Sequence, residues 1–289
     1  VLNKKIIVLG STGMIGHKIY QTLKKNKELD VLDLARSSKF SKESVLVDAL
    51  NLKKLESAIS QIAPNIIINC IGILISESQK KPELAENINA KFPHKLKDLC
   101  DQINAKLIHM STDCVFSGKK NTPYIEIDEK DGVDNYAMTK SAGEIISDDH
   151  LTIRTSVIGP ELDKDGEQLF NWFMNQKDEV NGYADAIWSG VTSLELAHVV
   201  SYLIKEDLRG LYHVTNGLPI TKNELLHLFK KATNKKIDIG YLSGININKH
   251  FIDTRKDMKY EIPTYEEMIK EMVSDIENNS SLYSHYSLG

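Results

Sequence analysis

The chain has 289 residues, of which 41% are hydrophobic and 26% charged, with a net charge of -4 at pH 7. That balance fits a soluble globular protein of one large or two modest domains and excludes a disordered or collagen-like chain. It supplies no basic field for nucleic acid or an anionic membrane, and no apolar run approaches the ~20 residues of a membrane span. Cys70, Cys100 and Cys114 have no CxxC or Cys/His spacing. Structural zinc and a disulfide framework are therefore not expected, and a reducing, cytoplasmic setting is. The Lys4-Lys5 pair is followed by only a short apolar run, which is not a signal-peptide pattern.

In chain order, Lys5 to Leu9 reads as a buried strand that runs into glycines. Met14 to Leu23 has helical spacing, with Ile15, Ile19 and Leu23 on one face. Strands are expected at Val31 to Ala35, Val45 to Val47, Asn65 to Ile71, Leu107 to Ser111 and Leu151 to Thr155. Helices are expected at Leu52 to Ile62, at Glu83 to Ile103 with a kink or late start at Pro93, and at Asp134 to Ile146. Repeated strand–helix units whose strands are apolar on both faces predict an α/β fold: a Rossmann-type, doubly wound parallel sheet.

After Pro160 the rhythm changes. Asp163 to Glu167 reads as a loop and Leu169 to Asn175 as an aromatic-rich helix. Ser193 to Ile204 is a helix that packs back on the sheet. Tyr212 to Val214 and Ile237 to Tyr241 read as strands, and Thr221 to Thr233 and Pro263 to Ile276 as helices. The expected division is a dinucleotide-binding domain over 1–157, completed by about 184–209. A smaller, discontinuous α/β substrate-binding domain takes 158–183 and 210–277. The Ser/Asn-rich tail, 278–289, is expected to be mobile.

Gly10-Ser-Thr-Gly13-Met-Ile-Gly16 lies between the first strand and first helix. Glycines there permit a tight turn and let a pyrophosphate approach backbone N–H groups at a helix N-terminus. The spacing is GxxGxxG rather than GxGxxG, so placement in a strand–turn–helix unit carries the dinucleotide reading. A carboxylate at the tip of the second strand suits the ribose hydroxyl of NAD, and a cation suits the extra phosphate of NADP. Arg36 is the expected tip residue, with Ser37 beside it, so NADP(H) is favoured over NAD(H). Asp33 is the dissenting candidate if the register differs.

Tyr136 and Lys140 are four apart on an expected helix and share a face. They follow a strand that ends in His109-Met-Ser111-Thr112-Asp113, and strand C-termini of an open parallel sheet are where ligands bind. Together, the glycine turn, the STDCVFSG segment at 111–118 and the NYAMTKSAGE segment at 135–144 resemble the extended short-chain dehydrogenase/reductases. Within them the chain is most similar to the dTDP-4-dehydrorhamnose reductase branch. Arg154-Thr155-Ser156 matches that branch, as does the separation of 24 residues between Thr112 and Tyr136. The run Asp253-Thr254-Arg255 with Tyr260 and Pro263 resembles its ending.

The resemblance implies a catalytic set of Thr112, Tyr136 and Lys140. Tyr136 would give a proton to a ketone oxygen, Thr112 would hydrogen-bond that oxygen, and Lys140 would hold the nicotinamide ribose and lower the pKa of Tyr136. It implies a cofactor-binding set of Gly10, Thr12, Gly13, Met14, Ile15 and Gly16 at the pyrophosphate. Arg36, Ser37, Asp48 and Ala49 would lie around the adenosine, and Asn69, Cys70, Ile71 and Gly72 along the ribose and phosphates. The expected reaction is NADP(H)-dependent reduction of a nucleotide-linked keto-deoxysugar. A C4 epimerase, a sugar-nucleotide dehydrogenase and a catalytically silent subunit of the same fold are the alternatives, and a homodimer is left open.

Departures from the branch fall near the substrate. Asp113 is followed by Cys114, so the dehydratase carboxylate is missing. Val157 stands where an aromatic residue is usual, and 182–190 (GYADAIWSG) replaces the usual DQxGxPT stretch. Phe170, Trp172, Trp188 and Arg255 are the candidate nucleotide contacts, although both tryptophans could equally be core. His109 reads as a packed core residue and Cys114 as packing. The nine histidines show no metal-ligand spacing, so no catalytic metal is expected.

Overall fold

The computed structural model describes residues 3–289. The chain runs β1 (Lys4–Leu9), α1 (Met14–Lys24), β2 (Leu29–Ala35), β3 (Val45–Leu46), α2 (Leu52–Ile62), β4 (Ile66–Asn69), α3 (Ile75–Lys80) and α4 (Pro82–Ala85). A π-helical turn (Glu86–Lys91) leads into α5 (Phe92–Gln102), then β5 (Lys106–Met110), α6 (Asn135–Ala142), β6 (Leu151–Thr155) and β7 (Val157–Ile158). The remainder is α7 (Leu169–Asn175), β8 (Glu179–Tyr183), β9 (Ala186–Trp188), β10 (Val191–Thr192), α8 (Ser193–Lys205), β11 (Gly210–Val214), β12 (Ile220–Thr221), α9 (Lys222–Thr233), β13 (Asp238–Leu242), β14 (Ile247–Lys249) and α10 (Tyr265–Asn278).

Seven strands form one sheet in the order β11-β6-β5-β4-β1-β2-β3, with every pairing parallel. Chain direction across the sheet reverses between β1 and β4, which opens a crevice at their C-terminal ends. Alternation along each strand feeds two cores. Ile6 and Val8 of β1 join Ile66 and Ile68 of β4 in one, beneath α1, α8 and α10. Ile7 and Leu9 join Ile67, Leu55 and Leu96 in the other, beneath α2 and α5. The helices begin where side chains can satisfy the first free N–H groups: Asn51 caps α2, Thr192 caps α8, and Thr221/Glu224 and Thr264/Glu267 are full capping boxes.

The sequence expected a kink or late start at Pro93, and the structure shows a widened turn just before it. Pro93 has no N–H to return to the preceding turn, and a π turn absorbs that mismatch. The bulge seats on α6, where a Cβ at Gly143 would collide with the Asn89 carbonyl.

Two expectations are corrected. β11 pairs with β6 and closes the edge of the large sheet, so 210–214 belongs with the sheet rather than the smaller substrate segment. The tail is not a loose end, because Tyr283 and Tyr286 are buried in the main core. Its Ser/Asn-rich composition hid two aromatic anchors, whose buried area, with Leu282 and Leu288 packed beside them, works against the cost of ordering the segment. The smaller units are two parallel pairs, β7 with β10 and β8 with β13, and a three-stranded sheet in the order β12-β9-β14. No helix among the described residues is long and apolar enough to cross a membrane.

Candidate active site

The glycine turn sits at the end of β1, and each glycine there has its own reason. Gly10 has φ +80°, a left-handed conformation, and its N–H donates to the Leu34 carbonyl at 2.9 Å. Gly13 is the N-cap of α1 and brings no capping side chain, so the first N–H groups of that helix, at Met14 and Ile15, stay available to an anion. At Gly16 a Cβ would strike the Gly10 carbonyl. The cleft beside this turn is lined by Gly10, Thr12, Gly13, Arg36, Ser37, Asp48, Ala49, Cys70, Ile71 and Gly72.

Arg36 and Asp33 are separated by the fold. Asp33 is fully buried and accepts hydrogen bonds from Ser11 Oγ at 2.7 Å, Ser41 Oγ at 2.9 Å and Ser44 Oγ at 2.5 Å. It pins the loop after β2, whereas Arg36 lines the cleft. Asn69, expected along the cofactor, lies under the cleft wall instead. Its Oδ1 accepts from the Ile71 N–H at 3.1 Å and its Nδ2 donates to His109 Nδ1 at 3.1 Å. That contact makes Nε2 the protonated nitrogen of His109, which is wholly buried and held well below the usual histidine range by burial and by Lys140.

Thr112, Tyr136 and Lys140 come together at the C-terminal end of β5. Thr112 caps a short turn by accepting from the Cys114 N–H at 3.1 Å, and its hydroxyl donates to Asp113 Oδ1 at 3.1 Å. Tyr136 is in the first turn of α6, which starts where Asp134 accepts from the Ala137 N–H. The expected lowering of the Tyr136 pKa by Lys140 is not what the structure shows: the phenol is held above its usual pKa chiefly by burial and also by Cys114, while its hydrogen bond with Thr112 works the other way. Lys140, one turn on, is buried and donates from Nζ to the Met110 carbonyl at 2.6 Å. Burial lowers its pKa to about 8 against the pull of Glu144 and Cys70. Cys70 lines the glycine cleft, so Lys140 stands at the border of the two sites. The Cys114 thiol is pushed up to about 11 by burial and Asp113, which leaves it unreactive at neutral pH.

The candidate nucleotide contacts fare differently. Phe170 is fully buried, edge-on to Phe229 and Tyr286 at 5.2 and 5.5 Å between centroids. Trp188 is buried, and its Nε1 donates to Ser156 Oγ at 2.7 Å. Trp172 alone of the aromatic candidates keeps an exposed face, on α7. Arg255 lies beside the start of β11: it donates to the carbonyls of Arg209 and Leu211 and to Asp257, and stacks 4.2 Å from the Tyr212 ring. β11 runs parallel to β6, so this is the end of the sheet away from Thr112. Arg255 is a staple of the sheet edge, because spacing along the chain does not say at which end of a strand a residue lands.

The family model described as the RmlD substrate binding domain matches residues 4–245. The chain belongs to that family. It is 26% identical over 247 residues to the dTDP-4-dehydrorhamnose reductase of Escherichia coli K12, covering 81% of this chain and 80% of that protein. The Shigella flexneri enzyme of the same name is 24% identical over 246 residues, with the same coverages. Among solved structures, dTDP-4-dehydrorhamnose reductase from Bacillus anthracis in complex with NADP superposes with a TM-score of 0.82 at 24% identity, covering 95% of this chain and 99% of that one. UDP-glucose 4-epimerase from Thermotoga maritima, at 17% identity over 96% of this chain and 99% of that one, shares the fold with a TM-score of 0.80. The extended short-chain dehydrogenase/reductase fold is therefore shown.

Several residues at the family site carry no local sequence signal. Glu77 of α3 faces Arg36 across the glycine cleft, and its pKa is lowered first by Lys81 and also by Arg36. A second cavity opens from the same wall, between Gly72, Glu77 and Lys80 on one side and Glu161, Gly166 and Glu167 on the other. Lys249, at the end of β14, faces Cys114, Asp113 and Asp134. These groups raise its pKa although burial opposes them. Only the fold brings a residue from the last quarter of the chain to that place.

Proposed function

We propose that this chain is an NADP(H)-dependent reductase of a nucleotide-linked keto-deoxysugar, with Tyr136 as proton donor. The observation that carries the reading is the meeting of Thr112, Tyr136 and Lys140 at the end of β5, where Lys140 acts on Cys70 in the wall of the glycine cleft. The names of the relatives support the same substrate class.

The residues present fit the cofactor. Gly10, Gly13 and Gly16 leave three positions of the turn without a Cβ, the start of α1 offers N–H groups to phosphates, and Arg36 offers a planar cation where an extra phosphate would lie. When bound, NADPH supplies the hydride. The phenol of Tyr136 is protonated at neutral pH, and burial pushes its pKa further up from an ordinary value that already lies well above neutrality. Reduction needs that form, since the developing alkoxide takes a proton from a neutral acid. Thr112 adds a second hydroxyl next to the same place, which can polarise a carbonyl oxygen once its single proton turns from Asp113 Oδ1 to the substrate. Lys140 has committed one proton to the Met110 carbonyl, and its other two remain for ribose hydroxyls.

The test is a screen of UDP-, dTDP- and GDP-linked 4-keto-6-deoxysugars, following NADPH absorbance. One NADPH consumed per sugar reduced is expected. Conversion of a nucleotide sugar without net NADPH consumption would replace the reductase with an epimerase.

A further inference from the structure

His17, in the second turn of α1, is fully buried. Its Nδ1 lies 2.8 Å from the Gly13 carbonyl and its Nε2 lies 2.7 Å from the hydroxyl of Tyr283, six residues from the end of the chain. A carbonyl can only accept, so Nδ1 carries the proton, and Nε2 must then accept from Tyr283. Burial lowers the His17 pKa to about 4, which keeps the ring neutral. The imidazole also packs against Phe40 at 6.0 Å between centroids, in the loop that follows Arg36. The ring is thus seated between the glycine turn, the loop after β2 and the C-terminal tail. The tail is held there independently: Lys18 pairs with Asp275 and lies over the Tyr283 ring, and the hydroxyl of Tyr286 accepts from the Glu161 N–H at 2.9 Å.

We propose that Tyr283 and His17 are positioning residues for the cofactor: the C-terminal tail anchors the imidazole whose Nδ1–H holds the Gly13 carbonyl, and through it the phosphate-binding turn. Gly13 supplies no side chain to steady its own helix start, and its carbonyl accepts both the His17 N–H of the helix and the His17 ring. Without the tyrosine hydroxyl, Nε2 is left as a buried acceptor with no donor, and the ring is held only by its bond to the Gly13 carbonyl and its packing, so it can tilt away from the carbonyl. The turn would then spend part of its time out of position, at a cost in affinity. The linkage rests on the dinucleotide reading of the cleft but not on the identity of the sugar.

The test uses the full-length protein and measures NADPH affinity by titration without substrate, alongside thermal melting. Tyr283→Phe keeps the ring and removes the hydroxyl, and should weaken NADPH about three- to tenfold, the scale of one neutral hydrogen bond. His17→Leu should cost at least as much. The double variant should lose no more than the larger single loss, because both residues act through one chain of hydrogen bonds. Tyr286→Phe, which touches the 161–168 loop and not the turn, should leave NADPH affinity unchanged even if it lowers the melting temperature. NADPH affinity of Tyr283→Phe within twofold of the parent, or losses that multiply in the double variant, would overturn the proposal. A parent protein that binds NADPH but reduces no keto-sugar would instead reject the function proposed above, while the same variants still decide this linkage.

Discussion

Arg154 grips both carboxylate oxygens of Glu144, with Nε 2.6 Å from Oε1 and Nη2 2.8 Å from Oε2, and both side chains are buried. Ser111 Oγ donates to the same Oε1 at 2.7 Å. One residue from each of three motifs thus meets in a single ion pair: the serine before Thr112, the glutamate one turn after Lys140, and the arginine of β6. The pair fixes the strand end and the helix that carry the catalytic set.

Removing Glu144 should therefore cost far more than removing an exposed partner. Glu144→Ala leaves a buried guanidinium unpaired and should lower stability by about 3–5 kcal/mol in urea denaturation. Lys231→Ala, from the exposed pair with Glu266, should cost about 1 kcal/mol or less. Burial alone would raise the Glu144 pKa, but Arg154, Ser111 and Lys130 outweigh it and hold it below the ordinary 4.5. A depressed carboxylate contributes stability that is complete above about that value and lost as pH falls through the folded pKa. The acid limb of the stability curve should flatten in Glu144→Gln.

Tyr136→Phe should reduce turnover by ~10²–10⁴ while leaving NADPH affinity near normal, measured by steady-state kinetics and by direct titration. Near-normal kcat in the purified variant would remove Tyr136 from the role of acid.

Lys140 has a pKa of about 8, so its ammonium is lost within reach of ordinary assays. The charged form prevails below that pH and is the one that can donate to ribose hydroxyls. NADPH affinity should decline as pH rises through about 8. A pH-independent Kd between 7 and 9.5 would show that the ammonium does not serve the ribose.

Arg36→Ala should weaken NADPH by roughly ten- to a hundredfold and NADH little, the scale of a charge-assisted hydrogen bond. Asp33→Asn should lower stability without reversing that preference, because Asp33 is spent on three serine hydroxyls. Equal losses for both cofactors in Arg36→Ala would place the 2′-phosphate elsewhere.

The nucleotide should be required. Remote binding energy orients the ketone, so kcat/KM for a nucleotide-linked sugar should far exceed that for the free sugar. Arg255→Ala should lower the melting temperature while keeping kcat/KM, since its guanidinium is engaged at the other end of β11. Lys249→Met should lower kcat/KM with NADPH affinity unchanged, because that ammonium faces Asp113 and Cys114 beside the catalytic set. Comparable kcat/KM with and without the nucleotide would move the substrate to a free ketone.

The sequence by itself determined the local elements and the motif chemistry. Apolar runs closed by glycines mark β1 and β4, and the i, i+4 spacing puts Tyr136 and Lys140 on one helical face, because these features depend on neighbours a few residues apart. The sequence named both Arg36 and Asp33 at the tip of the second strand and could not place either: alternation along β2 turns Asp33 into the serines, and the chain beyond Ala35 carries Arg36 to the cleft. Tertiary structure alone decided the rest. Phe170 is as aromatic as a nucleotide platform but is walled in by Phe229 and Tyr286. Arg255 is as cationic as a phosphate fork but arrives at the wrong end of a strand. A polar-looking tail became an anchor because Tyr283 found His17 across 266 residues of chain. Such contacts are set by which faces of distant elements must cover one another to exclude water, and that depends on the packing of the whole chain.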